Sequence, residues 1–416
     1  LPPPPACAQL IIPARFASIN LWLSGESLLL PVPDTYTMIT SAAELEPLLA
    51  ALSADDLSVA LDTEADSMHH YREKLCLIQL GAAGRQWIVD PFAEVDLAPL
   101  LEQLARRRII IHGADYDLRL LHRFYNFRPT EVFDTMLAAQ LLGRPQIGLA
   151  SLVQHYCEVT LTKDNQRADW AERPLNDEML AYAADDTRYL HTICEKLEAE
   201  LEAAGRHAWH AEACVRAITN ALAPRPPRDV DESWRIKGGK HLRGRAAAVL
   251  RELWRWREEL AQKLDRPPFK VAPGELLIKY ALWADANRDQ GFYDAPPRPI
   301  WLRGSRLTAF DAALSRALIM PPREWPAAPE PVHNGMRLAR HEELLLTQLL
   351  QARDVVAREL GIEPGVLGAR DALKGLLRDH PENPAQMQAL TTLMSWQAEA
   401  LAPALLPVLN APPPSE

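Results

Sequence analysis

Cysteine is scarce in this 416-residue chain, and the five present, Cys7, Cys76, Cys157, Cys194 and Cys214, are widely scattered. No Cys-x-x-Cys pair occurs, so neither a zinc site nor a disulfide framework is indicated; the cysteines read as reduced thiols in a cytoplasmic protein. Uninterrupted apolar runs long enough to span a bilayer are also lacking. The apolar stretch within residues 1–34 is broken by Pro13, Arg15, Glu26 and Pro31 and has no basic start of the kind a secretion signal carries. That proline-rich segment is expected to be a disordered extension. An excess of positive charge is missing too: the formal net charge is −10, which argues against non-specific coating of nucleic acid but not against a local basic patch. What remains is an ordinary globular composition on a chain long enough for two or three domains.

The stretch Val59-Ala60-Leu61-Asp62-Thr63-Glu64 carries the most chemistry. Apolar residues followed by two carboxylates two positions apart fit a buried strand ending at a polar site, where Asp62 and Glu64 share a face. Ionised carboxylates held side by side repel, so either a cation sits between them or solvent screens them. A divalent metal is one reading, and an acidic strand end facing water is the other.

Around it, residues 35–205 read as a mixed α/β domain. Thr35 to Thr40 suggests a strand, and Ser41-Ala42-Ala43-Glu44 a capping box opening a helix that runs through Leu52. Leu75 to Leu80 and Gln86 to Val89 fit a hairpin that continues the Val59 strand as an antiparallel meander. Leu97 to Arg107 has helical spacing, and Ile109-Ile110-Ile111-His112 is typical of a strand buried on both faces. Helical patterns follow at Leu118 to Phe124, Thr135 to Leu142, Leu149 to Cys157 and Asn176 to Leu201. Two further places bear carboxylates. Asp115 and Asp117 follow the turn at His112-Gly113, either at a strand-end site or simply capping a helix. Tyr182 and Asp186, four apart in a helix, are neighbours on one face, which is otherwise an acidic solvated one.

Together Asp62, Glu64, Asp117, Tyr182 and Asp186 resemble the DEDD exonuclease family, in the branch whose last motif is Tyr-x-x-x-Asp. Leu77-Ile78-Gln79-Leu80, Phe133-Asp134-Thr135 and Asp169-Trp170-Ala171-Glu172-Arg173-Pro174-Leu175 look like ribonuclease D motifs in the expected order. The resemblance implies a ribonuclease-H-like α/β fold and hydrolysis from the 3′ end. It also implies that Asp62, Glu64, Asp117 and Asp186 ligate two Mg²⁺ or Mn²⁺ ions, with Tyr182 positioning the attacking water. Asp66 departs from the pattern by adding a charge, and His69-His70 reads as surface loop with no ligand role.

Further on, ten Arg or Lys between Arg225 and Arg257 face four acidic residues, a local positive excess on an acidic chain. Arg235, Lys237, Lys240, Arg243 and Arg245 are the candidate nucleic-acid contacts, a solvated helix surface being the alternative. Leu253-Trp254-Arg255-Trp256-Arg257-Glu258-Glu259 and Asp265-Arg266-Pro267-Pro268-Phe269-Lys270-Val271 resemble the all-α HRDC module that follows the nuclease in ribonuclease D. The expected division is a linker over 206–229, an HRDC module over 230–295, a proline-rich connection over 296–334, a diverged second HRDC-like module over 335–409 and a tail over 410–416. The whole is expected to be a cytoplasmic, metal-dependent 3′→5′ exoribonuclease releasing 5′-mononucleotides from RNA 3′ ends, tRNA precursors among them. The same chemistry on DNA, or a non-catalytic nucleic-acid-binding protein, are the rivals; the lost carboxylate expected of the latter is absent.

Overall fold

Short apolar runs, most of them buried on both faces, build six strands: β1 (Tyr36–Ile39), β2 (Val59–Ala65), β3 (Leu75–Ala82), β4 (Arg85–Val89), β5 (Arg108–Ile111) and β6 (Glu131–Asp134). The computed structural model describes residues 36–53, 58–162, 165–224, 229, 231–287, 295–328, 338–379 and 381–411. The expected extension over 1–34, most of the arginine-proline stretch after Pro224 and the last tail residues lie outside these. The strands form one sheet in the order β1-β4-β3-β2-β5-β6. β2, β3 and β4 make the expected antiparallel meander, closed at Ala83-Gly84, where both residues have positive φ as a tight hairpin turn requires. β1, β5 and β6 pair parallel with their neighbours. β6, which ends within the Phe133-Asp134-Thr135 motif, completes the edge.

Helices cover both faces. α1 (Ala42–Ala51), α2 (Ala98–Ala105) and α3 (Asp115–Tyr125) bury leucines against Val59, Leu61 and Ile109. On the other face, α4 (Thr135–Leu141), α5 (Leu149–Cys157) and α7 (Leu190–Ala203) pack on Ala60, Ile110 and Phe133, while α6 (Asp177–Arg188) covers β3 and β4. The single helix expected over Asn176 to Leu201 is therefore two, separated at Tyr189, because its halves lie over different strands. The expected linker over 206–229 is likewise corrected: α8 (His207–Leu222) is a helix packed on α3, α4 and β6, with His210, Ala213, Cys214 and Ala221 buried.

The C-terminal half is helical. α9 (Gly244–Leu264), α10 (Pro268–Val271), α11 (Gly274–Ala286) and α12 (Ser305–Ile319) share a core in which Phe310 meets Trp256 and Tyr280 edge-on, each at 5.0 Å. Since Phe310 belongs to α12, the first module extends past 295 into what reads as proline-rich connection. A second module comprises α13 (Arg340–Leu360), α14 (Pro364–Leu367), α15 (Arg370–Lys374), α16 (Pro384–Leu390) and α17 (Ser395–Leu409).

Both modules dock on the nuclease domain. Trp209 of α8 stacks on Trp396 of α17 at 4.5 Å, and Glu212 accepts hydrogen bonds from the Ser395 hydroxyl at 2.5 Å and its N–H at 2.8 Å. Gly143, at positive φ, approaches the Gly361 carbonyl so closely that a Cβ there would clash. On the first module, Asp265 accepts from the Tyr71 N–H at 3.2 Å and pairs with His70 Nδ1 at 2.7 Å. His70 also meets Asp169 at 3.4 Å, and His69 sits 2.9 Å from the Arg167 carbonyl. The histidine pair is thus no bare surface loop but part of a junction, built from partners remote in sequence.

Candidate active site

The acidic residues converge because three elements end at one place. In β2, Asp62 and Glu64 face the side of the sheet that α6 covers. Thr63 points the opposite way, and its hydroxyl donates to Asp117 Oδ1 at 2.5 Å from the first turn of α3. One turn of α6 places Tyr182 and Asp186 side by side. All five line a cleft of about 490 Å³, together with His112, Gly113, Tyr116, Ser151 and Gln166.

Asp62, Glu64 and Asp186 can each offer a carboxylate oxygen within 4.8 Å of the other two. Asp117 lines the same cleft but stands outside that tight group, its Oδ1 engaged by Thr63. Burial, then the charges of Asp117, Asp186 and Glu64, raises the Asp62 carboxyl well above its ordinary range, and burial and neighbouring carboxylates do the same to Glu64. Asp186 is pushed up to about 7, by burial first and then by the charges of Asp185 and Asp117. Asp117 is pushed up to about 6 by burial, against the opposing hydrogen bond from Thr63. Hard oxygen donors that resist ionising together fit a divalent cation, which would relieve the repulsion. Burial and then the charges of Asp186, Glu64 and Asp62 raise Tyr182, so its phenol keeps its proton and can donate a hydrogen bond.

Supporting residues explain the other motifs. Asp134 is 2% exposed and accepts from the backbone N–H of Gly113, Ala114, Met136 and Leu137, so one carboxylate caps α4 and ties down the turn that leads into α3. Thr135 donates to the Ile111 carbonyl at 3.2 Å, and His112 Nδ1 lies 2.9 Å from the same hydroxyl. Arg173 forks onto Asp90 at 2.7 and 2.9 Å and donates to the Cys76 carbonyl at 2.9 Å, fastening the segment before α6 to the sheet. Trp170, 1% exposed, lies with its ring 6.0 Å from that of Tyr182. The sequence marks these residues only as parts of motifs; their roles depend on backbone partners that no spacing reveals. Asp115 makes no cap bond and instead pairs with Arg119 one turn on.

The basic candidates divide. Arg235 pairs with Glu232, donates to the Ala327 carbonyl at 2.8 Å and lies over the Trp234 ring at 4.2 Å, while Arg245 donates to the Leu318 carbonyl at 3.0 Å. Both are structural within the first helical module, whereas Lys237, Lys240 and Arg243 are exposed. Among the described residues, no helix is long and apolar enough to cross a membrane.

A family model for 3′-5′ exonuclease domains matches residues 36–202, and the HRDC domain model matches residues 246–287 and 342–409. A ribonuclease D from Pseudomonas paraeruginosa is 32% identical over 360 residues, covering 85% of this chain and 92% of the relative. The chain belongs to the ribonuclease D family. The crystal structure of Escherichia coli RNase D, an exoribonuclease involved in structured RNA processing, shares 27% identity at a TM-score of 0.61, covering 90% of this chain and 98% of that one. The catalytic core of RRP6 from Trypanosoma brucei shares 25% identity at a TM-score of 0.56 over 70% of this chain and 81% of that one. As a ribonuclease D family member the protein is a 3′→5′ exoribonuclease, with an α/β exonuclease domain followed by two helical HRDC domains.

Proposed function

We propose that the protein trims the 3′ ends of structured RNA precursors, tRNA among them, in the cytoplasm, using two Mg²⁺ or Mn²⁺ ions held by Asp62, Glu64, Asp117 and Asp186. The observation that carries the reading is the convergence of Asp62, Glu64 and Asp186 to within 4.8 Å in a cleft that Asp117 and Tyr182 also line. When bound, the ions supply an activated water and neutralise charge on the leaving oxygen. Asp62, Glu64 and Asp186 would hold one ion between them, and Asp117, lining the same cleft, would supply a further carboxylate for the second. The Thr63 hydroxyl, bonded to Asp117 Oδ1, fixes the orientation of that carboxylate. Tyr182, protonated and one helical turn from Asp186, orients the water by hydrogen bonding. Exposed Lys237, Lys240 and Arg243 bind phosphates and so favour long or folded RNA. The substrate class is supported by the E. coli relative, an exoribonuclease involved in structured RNA processing. The cytoplasmic setting is supported by four buried, unpaired thiols, Cys76, Cys157, Cys194 and Cys214.

The test is degradation of end-labelled single-stranded RNA and DNA side by side, with Mg²⁺, with Mn²⁺ and with EDTA. The reading expects stepwise loss of RNA from the 3′ end that EDTA abolishes. Equal or faster loss of DNA would overturn the substrate assignment, and activity in EDTA would overturn the metal.

A further inference from the structure

Gln79, in the middle of β3, is 0% exposed, yet among the described residues neither its Nε2 nor its Oε1 has a hydrogen-bond partner. Native proteins seldom bury an amide without partners, because each unmet donor or acceptor keeps its full desolvation cost. Gln86, on the neighbouring strand, shows the usual outcome: its Oε1 accepts from the Thr187 hydroxyl at 2.8 Å.

The register places Gln79 directly opposite Asp62. In an antiparallel pair such partners project from the same face, with Cβ atoms about 4.5–5.5 Å apart. That face is the one α6 covers, and Ala183 and Ala184 of α6 are buried, so helix and sheet enclose the amide. The row is tight: a Cβ on Gly81, two residues along, would lie 3.1 Å from the Ala60 Cβ and 3.3 Å from the Thr187 carbonyl oxygen. Asp62 is thus the charged residue directly opposite Gln79, with Glu64 at the diagonal position on the same face. The motif Leu77-Ile78-Gln79-Leu80 has no other chemistry to account for its amide.

We propose that Gln79 is a positioning residue for the metal centre: once Asp62 takes part in holding an ion, the Gln79 Nε2–H would donate to the Asp62 carboxylate and so fix its orientation. The proposal rests on the reading of Asp62 as a metal ligand. Donors behind a ligating carboxylate fix its orientation and charge, and losing one typically weakens metal affinity about 10–100-fold.

The experiment is calorimetric titration of the full-length protein with Mn²⁺ alone, without RNA, on the unmodified chain, Gln79→Met and Asp62→Asn, with circular dichroism on each. Methionine keeps the length of the side chain and removes both polar groups, so Gln79→Met should fold. In EDTA it should melt no lower than the unmodified chain. Its Mn²⁺ dissociation constant should rise about 10-fold or more, and raising Mn²⁺ should restore most of the turnover. An affinity within about twofold of the unmodified chain, with Asp62→Asn abolishing binding, would overturn the positioning role and leave the metal site standing. Unchanged affinity in Asp62→Asn would overturn the metal reading itself. Should Gln79→Met fail to fold, Gln79→Asn, which withdraws the amide by one methylene, must show the same loss of affinity. Unfolding of both variants would mark Gln79 as structural only.

Discussion

Replacing Asp134 by asparagine tests how the site is held rather than what it does. Asp134 Oδ1 accepts from Gly113 N–H at 3.0 Å, Met136 N–H at 2.9 Å and Leu137 N–H at 3.2 Å, while Oδ2 accepts from Ala114 N–H at 2.8 Å. Asparagine can turn its carbonyl oxygen to the first three donors, but its NH₂ group then faces the Ala114 N–H, donor against donor. One charge-assisted hydrogen bond is lost, worth about 1.5–3 kcal/mol, and a buried N–H is left unmet at a cost of about 1–3 kcal/mol. These overlap, so the net loss is about 3 kcal/mol. At about 2–4 °C per kcal/mol for a unit of 150–250 residues, the nuclease transition should fall by about 6–12 °C in calorimetry near neutral pH. Asp134→Ala, which loses all four bonds, should fall further. Because Ala114 opens the helix that carries Asp117, divalent-metal affinity should weaken in both variants even where they remain folded. A transition within about 2 °C of the unmodified protein for Asp134→Asn would refute the role of Asp134 in joining the α4 cap to the turn before α3.

Tyr182→Phe should lower turnover severely while leaving Mn²⁺ affinity nearly unchanged, since a phenol is a poor ligand for a hard cation; calorimetric titration decides, and affinity lost along with turnover would make the tyrosine structural. Alanine at Lys237, Lys240 and Arg243 together should weaken binding of folded RNA in Ca²⁺ and lower the log-log salt slope by roughly 0.7–0.9 for each phosphate no longer neutralised; unchanged slope and affinity would make this surface merely solvated. Metal-free stability should depend on pH through the cluster. The folded-state values of Asp117, about 6, and Asp186, about 7, lie above the ordinary carboxylate range, so their contribution is complete below about pH 4, where the unfolded carboxyls are protonated too, and is lost progressively until pH has passed 6 and 7. Added Mg²⁺ should therefore raise Tm more above pH 7 than below pH 6, and an equal rise at both would contradict the assignment.

How much of this was legible in the sequence depends on whether a residue acts through its neighbours in the chain. Asp62 and Glu64 are two apart on a strand and Tyr182 and Asp186 four apart on a helix, so their pairing follows from the two repeat periods alone. Asp117 needed the family resemblance to separate it from Asp115, two residues earlier and engaged instead with Arg119. The roles of Arg235 and Arg245 were hidden, since a charge count does not show that the carbonyls of Ala327 and Leu318 lie within reach. His69 and His70 looked like surface because Asp169 and Asp265, their partners, are remote in sequence. α8 was concealed by the very packing that makes it part of the nuclease: its buried His210, Ala213, Cys214 and Ala221 include no large apolar residue to draw a helical stripe.

Whether the acidic cluster holds the ions for hydrolysis is decided by the rate of RNA degradation by Asp62→Asn beside Asp115→Asn. Asparagine removes a charged ligand at nearly constant size, so Asp62→Asn should lose at least about 100-fold in rate with an unchanged circular dichroism spectrum. Asp115→Asn, altering a carboxylate that faces solvent and Arg119, should retain most activity. Near-normal turnover by folded Asp62→Asn would remove that residue from the site and contradict the metal-centred mechanism.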